Sequence, residues 1–313
     1  MDYRKKLIAL STTAIILAVA YILTFVFAPD RRHDRSFAWL ETRLHPLADR
    51  IEIFGAAGNS VLIRRNDVWF LSAWGLEFPV RQERVQDLFA ALSRRDAYAL
   101  RSTSLDARHP LGLSLEDASR ILVRGGIGLP LLDLLIGIDG AVGREVYLSR
   151  ADEREIFSGE DRFTFFADSG PMFWLDLRLF AGGGVPRTIA MVQQAELTFA
   201  PPDAPPFSYT LRRSGGGWVL QGDERADLAS PRVESWLRAV LEAEGADFGA
   251  QAPSAIEGNI TLWFGDGTAR SIYVGPPEDG FYRSAAVSDS ALAYMLSPHT
   301  VERLFRESSD FVR

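Results

Sequence analysis

The sequence predicts an α+β protein: an N-terminal transmembrane helix followed by two tandem repeated domains, each an antiparallel sheet packed on a helix. Three observations predict it. Residues 7–28 run without a single charge, a pattern of strands, a Trp and an amphipathic helix occurs twice, and a glycine-punctuated strand meander follows the helix in each copy. The 313 residues are enough for an anchor and two domains with cores of their own. At 47% hydrophobic and 24% charged residues, the composition is that of a globular chain.

The anchor comes first. Residues 7–28 read LIALSTTAIILAVAYILTFVFA, long enough as a helix to cross a hydrocarbon core of about 30 Å. The competing reading is a cleaved signal peptide, whose apolar region runs about 7–15 residues. The only plausible cut, after Val26-Phe27-Ala28, leaves Pro29 just beyond it, where it is unfavourable. An uncleaved anchor is therefore expected, with residues 1–6 as a cytoplasmic tail. Three Lys or Arg stand on each flank, and the group Arg4, Lys5 and Lys6 lies nearer the apolar run. Short basic N-termini stay inside, so the body is expected outside the cytoplasmic membrane. Residues 29–48 then read as a juxtamembrane linker holding Phe37, Trp39, Leu40 and Leu44.

The body repeats itself. Ile51-Glu52-Ile53-Phe54 precedes Val61 to Arg65 and a strand with Trp69; Ala195 to Phe199 precedes Tyr209 to Arg213 and a strand with Trp218. The proline-rich stretch Pro201 to Pro206 can only be a loop. Val85, Leu88, Phe89 and Leu92 then fall on one helical stripe, as do Val233, Trp236, Leu237, Val240 and Leu241, with Ser230-Pro231 expected as N-cap and first-turn proline. After the helix, Arg120 to Val123, Leu131 to Gly137 and Val146 to Leu148 form a meander matched by Ile260 to Phe264, Ser271 to Gly275 and Phe281 to Arg283. The first repeat is expected over residues 49–181, a glycine-rich linker over 182–188 and the second repeat over 189–313.

This order resembles the DUF4340 family. The residues that carry the likeness are Leu44-His45-Pro46-Leu47 leading into Ile51-Glu52-Ile53, Arg64-Arg65 to Trp69, the helix from Pro79 to Leu92, His109-Pro110-Leu111-Gly112-Leu113, Gly137 and Tyr147. The likeness covers residues 45–180 and is looser in the second copy, which lacks the Pro-Leu-Gly-Leu segment. The resemblance implies an auxiliary extracytoplasmic component of an ABC-type transporter, of the gliding-motility kind, whose partners are permease and ATPase subunits. It carries over no catalytic residue.

The residue inventory removes whole classes of chemistry. There is no cysteine, hence no disulfide, thiol nucleophile or Cys-ligated metal. Lys5 and Lys6 are the only lysines, so the body holds no Schiff-base or P-loop lysine. Residues 36–313 carry 28 arginines against 38 acids, a balance that repels nucleic acid. His33, His45, His109 and His299 are scattered without ligand spacing, and no serine, Ser60 included, sits in G-x-S-x-G. The runs Gly125 to Gly128 and Gly137 to Gly143 open no helix and read as hairpin turns; Asp152-Glu153, Glu160-Asp161 and Asp223-Glu224 read as solvated turns. No cofactor, metal or catalytic residue is assigned.

One apolar stretch exceeds what a terminal segment needs. Phe163, Phe165, Phe166, Met172, Phe173, Trp174, Leu175, Leu177, Leu179 and Phe180 crowd the end of the first copy. They either pack between the copies or form a docking patch, in which Phe165, Phe166, Phe173 and Trp174 are the candidate partner contacts. The expected function is a non-enzymatic, membrane-anchored accessory subunit of a transport complex acting by protein contact. The alternative is an extracytoplasmic module binding an envelope polymer or small ligand.

Overall fold

The computed structural model describes Thr13, Leu17 and residues 34–312, apart from 74, 141–142, 181–187, 222–227 and 279–280. The anchor expected over residues 7–28 lies outside the described residues except for Thr13 and Leu17. Among the described residues no helix is long and apolar enough to cross a membrane. The chain forms two units, divided after Trp174.

The first unit runs β1 (Asp34–Phe37), β2 (Ala48–Phe54), β3 (Ser60–Arg65), β4 (Val68–Ala73), β5 (Leu76–Pro79), α1 (Gln82–Ser93), β6 (Asp96–Ser102), β7 (Ser119–Gly125), β8 (Pro130–Asp139), β9 (Glu145–Arg150), β10 (Ile156–Glu160), α2 (Thr164–Asp168) and α3 (Gly170–Trp174). Its sheet is antiparallel throughout, in the order β1-β6-β10-β9-β8-β7-β2-β3-β4-β5. The second unit runs β11 (Val192–Phe199), β12 (Phe207–Ser214), β13 (Gly217–Leu220), α4 (Ser230–Leu241), β14 (Asp247–Gly249), β15 (Gly258–Phe264), β16 (Ala269–Pro277), β17 (Arg283–Val287), β18 (Ala293–Leu296) and α5 (Pro298–Leu304). Its antiparallel order is β14-β18-β17-β16-β15-β11-β12-β13. Without the added edge strands β1 and β5, the first order is the second, strand for strand.

The correspondence reaches single residues. The β3–β4 hairpin turns through Asn66 and Asp67 (φ 49° and 65°), and β12–β13 turns through Gly215 and Gly216 (φ 58° and 85°). Both have the two left-handed residues that suit the twist of a tight hairpin. In each unit one arginine on the second strand reaches back to the 3-10 turn that opens the first. The Arg64 guanidinium donates to the carbonyls of Pro46 and Ala48 at 3.0 and 3.3 Å. Arg213 donates to those of Val192 and Ile189, both at 3.2 Å. Each lies across the strand pair from the hairpin's Trp, Trp69 or Trp218.

Gly137 and Gly275 form the second shared device. Each sits in a register shift, of β8 against β9 and of β16 against β17. A Cβ on Gly137 would lie 2.2 Å from the Leu111 carbonyl oxygen, and one on Gly275 would lie 2.8 Å from Cβ of Pro253. The loop between β6 and β7 thus seats His109-Pro110-Leu111-Gly112-Leu113 on one glycine, and the loop between β14 and β15 seats Pro253 on the other.

Both helices bury the expected stripe, Val85, Leu88, Phe89 and Leu92 in α1 and Val233, Trp236, Leu237 and Val240 in α4. Leu241 packs at the margin of the second core. Three expectations are corrected. Ser230 is not the N-cap: Ala229 holds that position and Ser230 begins the helix, with Pro231 behind it. Residues 29–48, read as a linker, belong in their described part to the first unit, because β1 pairs with β6 and Phe37 and Trp39 pack edge-on with each other and against Phe157. Leu175 to Phe180, read as the end of the first copy, open the second unit. There Leu179 N–H donates to Ala243 O and Gly245 N–H to Leu177 O, both at 2.8 Å, and Leu179 and Phe180 join that unit's core.

Candidate docking surface

The short helices α2 and α3 hold all four residues singled out as partner contacts. Their seat is set by backbone. A Cβ on Gly55 would lie 2.0 Å from Ala167 O, so α2 rests directly on the β2–β3 turn. The Asp168 carboxylate secures it, accepting from the Ala56 N–H and the Ser119 hydroxyl, each at 3.2 Å. Gly170, at φ +69°, turns the chain into α3 against Ala57, and the Arg81 N–H donates to Trp174 O at 2.9 Å.

The rings then stack from inside to outside. Trp174 is fully buried and stacks on Phe166, which is also buried, at 6.2 Å between centroids. Phe173, half-buried, stands edge-on to Trp174 at 4.9 Å and to Phe165 at 5.2 Å. Phe165 is 62% exposed and Met172 48%. The Arg84 guanidinium of α1 lies 4.6 Å from the Phe173 centroid, a cation–π contact. The four residues are therefore brought together but divided in exposure: Trp174 and Phe166 are core, Phe173 is half-buried, and Phe165, with Met172 beside it, is open to solvent. Arg84 was not foreseen, since its place beside Phe173 depends on how α1 and α3 pack.

An exposed aromatic, a methionine and an arginine over a rigid base is the composition of an interface centre. Covering Phe165 fully would contribute up to about 1.5–3 kcal/mol.

The remaining candidates are placed elsewhere. His45 is half-buried against Phe89, bonded to the Ser93 hydroxyl, and burial holds its imidazole below the usual value. His109 meets Asp117 at 3.6 Å at the surface, His299 is exposed on α5, and His33 lies outside the described residues. Ser60 is not in the hairpin loop but is the buried first residue of β3. The glycine runs near 125 and 140 join β7 to β8 and β8 to β9. Asp161 accepts from the Thr164 N–H at the first residue of α2, and Asp223-Glu224 lies outside the described residues. Among the described residues, no group of three or more His, Asp or Glu is placed to hold a metal. No protein-family model matches the chain, and no curated protein matches it.

Proposed function

We propose that this protein is a membrane-anchored accessory subunit of an ABC-type transport complex that acts by protein contact and catalyses no reaction. The observation that carries the contact reading is the aromatic stack, which ends in solvent at Phe165 and Met172 while its base is locked into the sheet. The uncharged run of residues 7–28 supports the anchor, with the N-terminus inside and the body extracytoplasmic. The shared strand order, the paired arginine ties and the paired bulge glycines support two copies of one duplicated unit. The transporter itself rests on the DUF4340 resemblance.

The test is copurification of the full chain in mild detergent. Recovery of a permease and an ATPase with the wild type, and their loss with Phe165→Ala and Met172→Ser at unchanged thermal stability, supports the proposal. A solitary wild-type chain, or transporter subunits retained equally by the variant, contradicts it.

A further inference from the structure

The second unit carries a feature that the contact reading does not use. A cleft of 510 Å³ opens between α4, α5 and the C-terminal turn, lined by the arginines Arg232, Arg238, Arg303 and Arg306. On a chain of net charge −7, this is a local reversal of sign. Other arginines of this unit are tied to carboxylates: Arg178 to Asp176, Arg270 to Asp289 and Arg283 to Glu257. The four in the cleft form no such pair among the described residues, and all four are exposed. Arg232 is held in place by donating to the carbonyls of Asp310 and Val312 at 3.4 and 2.9 Å, contacts with neutral acceptors that leave its charge without a carboxylate partner among the described residues.

We propose that this cleft binds a phosphoryl-bearing ligand. Four guanidiniums face two lining carboxylates, Glu242 and Asp310, a surplus of two positive charges. A phosphate monoester, at about −1.5 to −2 near neutral pH, matches that surplus, whereas a single carboxylate leaves half of it open. Guanidinium forks present paired N–H groups to phosphate oxygens, and arginine keeps its charge at every physiological pH. The floor is apolar. Trp236 and Phe311 line it, and Trp236 is fixed by its indole N–H donating to Leu304 O at 2.8 Å. The volume lies in the range of small-ligand sites, about 300–1,000 Å³, and exceeds what a bare phosphate fills, so the remainder of the ligand rests on these rings. The phosphoryl group comes either from a soluble ester or from a lipid headgroup.

The full chain in phosphatidylcholine nanodiscs separates these sources by hydrogen exchange. Inorganic phosphate is titrated into one sample, and phosphatidic acid is built into the bilayer of another. Saturable protection of residues 230–241 and 298–304 is expected in one arm or both; phosphate alone identifies a soluble source, phosphatidic acid alone a lipid one. Arg303→Glu with Arg306→Glu is expected to weaken the response by about a hundredfold or more, since two charge-assisted hydrogen bonds are lost. Arg238→Glu, on the opposite wall, is expected to weaken the response as well, and Arg43→Glu with Arg65→Glu in the first unit, the same change in net charge, is expected to leave it unchanged. Absence of protection in both arms of the wild type, or an equal response in the Arg303, Arg306 variant, overturns the proposal.

Discussion

Gly137→Ala is the sharpest perturbation of the fold. The added Cβ would lie 2.2 Å from Leu111 O and 3.1 Å from Cγ of Leu113. A carbonyl cannot swing aside as a flexible side chain does, so the loop must lift by about 1 Å to restore van der Waals distance. Overpacking of this kind costs about 1–3 kcal/mol. Leu113 is fully buried with Leu135 and Ile156, and if the lifted loop draws it into water, about 1.5–3 kcal/mol more is lost. For a domain of this size each kcal/mol lowers Tm by about 2–4 °C. The assay is thermal unfolding of the full chain in mild detergent, with hydrogen exchange to locate the effect at residues 109–113. Gly126→Ala is the control, because a Cβ there meets nothing within 4 Å. Gly275→Ala should reproduce the loss in the second unit through Pro253 and the Ser284 hydroxyl. If Gly137→Ala melts with Gly126→Ala and exchange in the loop is unchanged, the loop over residues 109–113 is not seated on Gly137.

The other expectations concern single contacts. Arg64→Lys and Arg213→Lys each remove a forked tie to two carbonyls, and urea unfolding should show a loss of about 1–3 kcal/mol in the unit concerned. Because burial depresses the His45 pKa, the unfolded chain takes up its proton first. Stability is therefore full above the ordinary value of 6.5 and falls as pH drops below it, and melts of His45→Gln should be flatter across that window. Trp174→Ala, at a fully buried site, should cost about 3–5 kcal/mol, whereas Phe165→Ala should shift a melt by less than about 0.5 kcal/mol in equivalent stability.

What sequence periodicity revealed and what it hid have distinct physical causes. The stripes of α1 and α4 were legible because a buried helix face must repeat near every 3.6 residues, and Val85, Leu88, Phe89 and Leu92 do. The Trp69 and Trp218 hairpins were legible from polar turn residues between apolar strands. The short strands β1, β5, β14 and β18 were not, since each of three or four residues is too brief to display an alternation. The boundary expected at residues 182–188 falls instead after Trp174, because a glycine run outweighs Leu177 and Leu179, whose backbone partners Gly245 and Ala243 lie 68 and 64 residues onward. At the candidate surface, the sequence identified the aromatic residues but not which of them face solvent. Phe165 and Phe166 are adjacent in α2, and only the docking of that helix on Gly55 decides that one is 62% exposed and the other 9%. The arginine cleft was invisible for a related reason: Arg232 and Arg303 meet only through the packing of α4 on α5.

The central claim is that the Phe165 face meets a transporter subunit. The most direct measurement places a photo-crosslinking amino acid at position 165 in the full chain in cells, with position 129 as control, an exposed leucine in the turn before β8. The account predicts an adduct with an ABC-type permease subunit from position 165 and none from position 129. Equal yields from both positions, or no transporter adduct from position 165, would contradict it.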